Sequence, residues 1–409
     1  MRCPYCQYLC KKGETVCPMC NSILPPEDYL KNQVVTSDDL KAEKGITFEE
    51  EDTDVVINNE NHFKRAFSVD EALKIPKSVD DTGIDVKELF ERLKEYLAKE
   101  GISIEDTELA VVVAAFFSSR TLVVEDGRGS RELFSAINGF FGNSVETFID
   151  HKKEIKQHGN LFGAWIQEEN GDVYFSDSEL LKGLYAASYV DSPYFIQIKD
   201  HNDIPQDEFD DFVVKYISKY EKLPLITISN IYKLKTRPKY IPQRHWDATG
   251  NIWFVISGEN IALNPKSEKG YVFPVVTLSV APTSKKTEEN TNPIGVGPVL
   301  SISENISQKI LLPENYWKVI DNIESHIASS VDSFRMDNQL LRGMETFSSV
   351  LLSLGFGEIT AFDYMMSCFL IPALSSELTD VPNWKMDILR IMKNSGLKDL
   401  IQCKSLLGD

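Results

Sequence analysis

The sequence has no apolar run near the roughly 20 residues that cross a bilayer. Its six histidines show no metal-binding spacing such as His-x-x-x-His. No internal repeat is visible, which excludes solenoid and propeller architectures. Between Cys20 and Cys368 there is no cysteine, which excludes a disulfide framework and fits a reducing compartment. Basic residues are scarce, 43 Lys and Arg against 62 Asp and Glu in 409 residues, for a net charge of −19. Nucleic acid repels such a chain as a whole, so any contact with it would need a local basic patch. Met1-Arg2-Cys3 leaves no room for a secretory leader, and the expected location is the cytoplasm.

What is present begins at once. Five of the seven cysteines lie in the first twenty residues, four of them as Cys3-Pro4-Tyr5-Cys6 and Cys17-Pro18-Met19-Cys20. Two thiolates at this spacing hold one side of a tetrahedral ion, and the second pair closes the other. Lys11, Lys12 and Gly13 suit the turn between the pairs, and Cys10 lies outside the pattern. Cys3, Cys6, Cys17 and Cys20 are therefore read as ligands of a structural Zn²⁺. Four filled positions leave no place for a catalytic water.

Pro25-Pro26 ends this ribbon. The following stretch is polar and carries the acidic tract Glu49, Glu50, Glu51, Asp52 and Asp54, the composition of a flexible tether. From residue 84 the pattern becomes globular. Leu89, Phe90, Leu93, Tyr96 and Leu97 make a helical stripe, and 104–119 reads as a helix apolar all round in its middle. Thr121 to Val124 is a short buried strand, then a polar turn with glycines, then a helix through Leu133, Ile137 and Phe140. Further strand-like runs stand at 194–198, 225–229 and 252–257, with helical stretches at 178–187 and 207–220. Strands alternating with helices imply a mostly parallel sheet covered on both faces. Residues 271–281 read as one more strand, at an edge because of Pro274. Residues 282–297 read as a flexible loop, and the chain from 313 onward as a separate helical subdomain with Trp317, Ile320, Ile323 and Ile327 as one stripe.

A strand, a glycine turn and a helix is where a phosphate-binding loop sits. Backbone N–H groups and the helix N-terminus converge on the anion there, a lysine reaches the outer phosphates, and a hydroxyl holds Mg²⁺. Here the segment is Val124-Glu125-Asp126-Gly127-Arg128-Gly129-Ser130-Arg131-Glu132. Arg131 stands where the lysine belongs and Glu132 where the hydroxyl belongs. Two stretches further on extend the comparison: Asn160-Leu161-Phe162-Gly163, and the run from Ser192 through Pro193, Ile198, Lys199, Asp200 and His201 to Asn202.

With these residues the chain resembles the AAA+ ATPases, loosely over 84–380, and among them the McrB-like branch of modification-dependent restriction systems. The resemblance implies an apolar strand ending in a metal-holding acid pair and an asparagine. This sequence has Lys199 and Asp200 at the acid positions and keeps Asn202. Ile252 to Asn260 is similar to the strand that ends in the family's polar sensor residue, here Asn260. Ala361-Phe362-Asp363 and Ile371-Pro372-Ala373-Leu374 look like the family's lid.

The fold class so implied is α/β, a P-loop AAA+-like parallel sheet with a helical lid subdomain and a small N-terminal zinc ribbon. The expected domains are a ribbon at 1–24, an acidic tether at 25–83, a degenerate AAA+-like domain at 84–297 and a lid at 298–409. Residues facing a nucleotide would be Gly127, Gly129, Ser130, Arg131, Asp200, Asn202 and Asn260. Loss of the lysine, the hydroxyl and the acid together removes the grip on a magnesium triphosphate, so no residue is expected to be catalytic. The expected role is a pseudo-ATPase scaffold or adaptor among other protein subunits, an intact AAA+ ATPase among them, in restriction or phage defence. Two other readings stay open: a nucleic-acid binder using the ribbon with Tyr8, Lys11 and Lys12, and an NTPase with unconventional site residues. His245, Trp246 and Asp247 read as a surface turn, and Cys368, among Met365, Met366, Phe369 and Leu370, as a core thiol.

Overall fold

The computed structural model describes residues 83–143, 147–150, 153–154, 164–167, 173–176, 178–187, 190–199, 251–258, 273–282, 293–306 and 311–408, apart from 330, 332–334, 337, 379–380 and 398. The expected ribbon, tether, strand at 225–229 and helix at 207–220 lie outside these residues.

In chain order the elements are α1 (Val86–Lys99), β1 (Ile102–Ser103), α2 (Asp106–Ser118), β2 (Thr121–Arg128), α3 (Ser130–Phe140), β3 (Thr147–Asp150), β4 (Ala164–Gln167), β5 (Val173–Ser176) and α4 (Glu179–Ala187). There follow β6 (Tyr194–Lys199), β7 (Ile252–Gly258), β8 (Val275–Ser279), β9 (Ala281–Pro282), α5 (Val296–Ile306), α6 (Glu314–Ala328) and α7 (Asn338–Ser353). Helix α8 (Glu358–Met365) runs through a π-type turn at Met366–Leu370 into α9 (Ile371–Glu377), and α10 (Trp384–Asn394) and α11 (Ile401–Leu407) complete the set. Pro372 has no N–H to give an α-helical bond, and the backbone widens ahead of it, with Ile371 N–H reaching Met366 O.

The chain divides into two compact units. In the smaller, β4 and β5 form an antiparallel pair from Ala164↔Ser176 to Gln167↔Val173. The larger holds a five-stranded sheet in the order β3-β6-β7-β2-β8, with every pairing parallel. The strand expected around Pro274 is β8, and it is an edge strand as expected. Pro274 sits just before it, and its carbonyl accepts the Val123 N–H.

Alternation sorts the strands into two faces. Leu122, Val124, Phe195, Trp253, Val255, Val276 and Leu278 join a continuous core with α2 and α3. Val123, Ile196, Ile198 and Ile256 point the other way and are also buried, as a parallel sheet requires. Helix α2 is buried from Leu109 to Phe117, which explains why its sequence is apolar all round. Its Phe116 ring lies 4.7 Å from Trp253 and 5.4 Å from Phe195.

Two stretches differ from the sequence reading. Helix α5 starts at Val296, inside the segment expected to be a loop and across the expected boundary at 297/298. Pro298 in its first turn is tolerated there because that N–H has no helical partner to lose. The helices beyond also share one core with the sheet: Val299, Ile320, Phe347, Phe362, Leu389 and Cys403 belong to the same buried cluster as Phe116 and Trp253. Along α6 the buried stripe is Tyr316, Val319, Ile320, Ile323 and Ile327, with Trp317 only partly buried.

Candidate functional site

Strand β2 lies between β7 and β8. The chain leaves it for β3 at the far edge, whereas β7 leads on to β8 in the opposite direction. Such a switch point, at the carboxyl ends of parallel strands, is where an α/β sheet opens a crevice for ligands. The glycine segment sits there, at the start of α3.

Its geometry departs from a phosphate loop. Strand β2 does not stop at Val124 but continues to Arg128. Pairing with β8 goes from Glu125↔Thr277 to Arg128↔Ser279, three steps against two, so one extra residue forms a bulge around Asp126 and Gly127. Gly129 alone makes the turn, at φ 73° and ψ 7°, a left-handed conformation that glycine adopts without strain. Ser130, the first residue of α3, is buried. The polar turn with glycines expected after Val124 is thus a strand end followed by a single glycine.

Arg131 is exposed, and its guanidinium lies 4.2 Å from the centre of the Phe148 ring on β3. The backbone around it is tied down: Gln197 Nε2 donates to Arg131 O at 3.3 Å, which holds the first turn of α3 against β6. One helical stretch further on, Asn138 Nδ2 donates to Phe195 O and its Oδ1 accepts the Phe195 N–H, both at 2.8 Å. Asn143 Nδ2 donates to Pro193 O at 2.6 Å, and Asn251 Nδ2 reaches Ala187 O, Val190 O and Ser192 O. These amides fix the approach to β6, whose end carries Lys199.

Lys199 pairs in register with Asp150 on β3 and with Ser257 on β7, and Ser257 pairs with Val124 on β2. Residues in one register row of parallel strands point to the same face. Since Val124 belongs to the α3-side core, Asp150, Lys199 and Ser257 share the face beneath the N-terminus of α3. The rim on this face therefore carries Lys199, Asp150 and Ser257 beneath Arg131, while Glu125, one residue beyond Val124, points to the other face. Asp200, Asn202 and Asn260 lie outside the described residues, as do Cys3, Cys6, Cys17 and Cys20 and the His245-Trp246-Asp247 turn.

A hard dication needs oxygen ligands, and on this face of the described rim the one carboxylate is Asp150, with Lys199 as its direct cross-strand neighbour. The Asp150 carboxylate also accepts the Lys153 N–H at 3.1 Å. Among the described residues no cluster of three or more His, Cys, Asp or Glu could hold a metal. No described helix is long and apolar enough to cross a membrane. Cys368 and Cys403 are buried, and burial pushes the Cys368 thiol up to about 12, which suits a core thiol.

Phe148, Asp150, Gln197 and Ser257 were not singled out by sequence. The signal for Gln197 was parity: counting back by two from Lys199 gives it, on the same face. The four-residue strand that carries Phe148 and Asp150 is too short for periodicity to show.

No family model matches the chain, and no curated protein matches it. A solved structure from Cytophaga hutchinsonii, named as a candidate ATPase, superposes with a TM-score of 0.44 at 9% identity, covering 75% of this chain and 94% of its own. A likeness that loose identifies neither a family nor an activity.

Proposed function

We propose that the chain is a non-hydrolysing subunit built on an AAA+-like α/β scaffold, acting as an adaptor in a complex with other protein subunits. The observation that carries this reading is Lys199. It occupies the end of an inner strand, on the face beneath α3, where the resemblance calls for a metal-holding acid. The strand-like course of residues 125–128 supports the same reading, because backbone committed to pairing with β8 is less able to wrap a polyphosphate. The intact partner would be an AAA+ ATPase that completes its own sites, and the system a restriction or phage-defence complex. The four N-terminal cysteines would hold one structural Zn²⁺, and the acidic tether would let that ribbon search a partner surface.

The test is a pair of measurements on the full chain. Phosphate release from ATP and GTP with Mg²⁺ should stay at background. Native pull-down should recover a hydrolysing ATPase partner. Metal-dependent turnover by the purified chain, abolished by Lys199→Ala, would overturn the proposal. Metal analysis should find one zinc per chain, lost on Cys17→Ser.

A further inference from the structure

We draw no further inference here: the strongest candidate, the outer edge of β8 between Pro274 and the Ser279 N–H that donates to the Glu108 carboxylate at 3.4 Å, is paired on one side alone among the described residues, and nothing in the structure shows what covers the other.

Discussion

The two ends of helix α3 are built on different principles. At its start, Arg131 is exposed and rests on the Phe148 ring, beside a rim of charged groups open to solvent. Near its other end, Asn138 is 1% exposed and exchanges two hydrogen bonds with the backbone of Phe195. The first kind of contact is replaceable, because water stands ready to solvate either partner. The second is not, because a buried N–H or C=O that loses its partner costs its full desolvation. The end that attracts attention in the sequence is therefore the end the fold depends on least.

The sharpest way to break this contrast is Asn138→Ala. It orphans both Phe195 groups in a packed interior, and we expect a loss of about 3–5 kcal/mol, or no stable fold at all. Urea unfolding followed by circular dichroism measures it. A loss under about 1 kcal/mol would mean that α3 is held on the sheet by its aromatic contacts alone.

The next test moves to the C-terminal helices. Asp363 is buried, and its two carboxylate oxygens accept the N–H groups of Gln402 at 2.8 Å and Cys403 at 2.9 Å. It caps a helix of seven residues from forty positions away, giving α11 an anchor that its own sequence lacks. Asp363→Ala should cost about 2–3 kcal/mol, since bonds to a charged acceptor are worth more than neutral ones. Hydrogen exchange should show α11 opening ahead of the sheet.

Alkaline titration sharpens the comparison without any substitution. Burial raises the Cys368 thiol to about 12 and raises Cys403 as well, from an ordinary value of 9.0. An acid whose folded value is raised keeps its proton in the folded state while the unfolded chain has lost it. Stability is thus intact below about pH 9 and falls as pH rises toward 12, by about 1.4 kcal/mol per unit for each thiol. Between pH 9 and 10, before the burial-raised phenols of Tyr316 and Tyr364 add their own loss, replacing Cys368 by Ala should flatten that slope by about half. An unchanged slope would place the alkaline loss elsewhere.

How much of this was legible beforehand follows from the same contrast. Strands β6 and β7 and helices α1 and α2 announce themselves through runs of apolar residues, because burial on a large scale leaves a pattern. The edge position of β8 followed from one proline. Helix α5 was hidden because glycine, proline and β-branched residues crowd its first turns, and packing against α2 outweighs that weak propensity. The cap from Asp363 to α11 joins residues whose separation in sequence carries no signal. At the rim, the types of residue were readable but their company was not: only the register of β3, β6 and β7 puts Asp150 and Ser257 on either side of Lys199.

The smallest expected effect tests the rim directly. Arg131→Ala removes one exposed cation–π contact with Phe148 and leaves the backbone bond from Gln197 intact. At an exposed site such a contact contributes about 0.5–1 kcal/mol. The unfolding midpoint should therefore move only slightly, several times less than for Asn138→Ala. If Arg131 instead gripped a phosphate, the same substitution would abolish nucleotide binding while stability stayed put, and a fluorescent nucleotide titration reads that difference. Arg131→Leu keeps an apolar stem over Phe148 and loses only the charge. Equal small losses for the alanine and leucine variants assign the contribution to charge over the ring. Recovery in the leucine variant alone assigns it to packing of the stem.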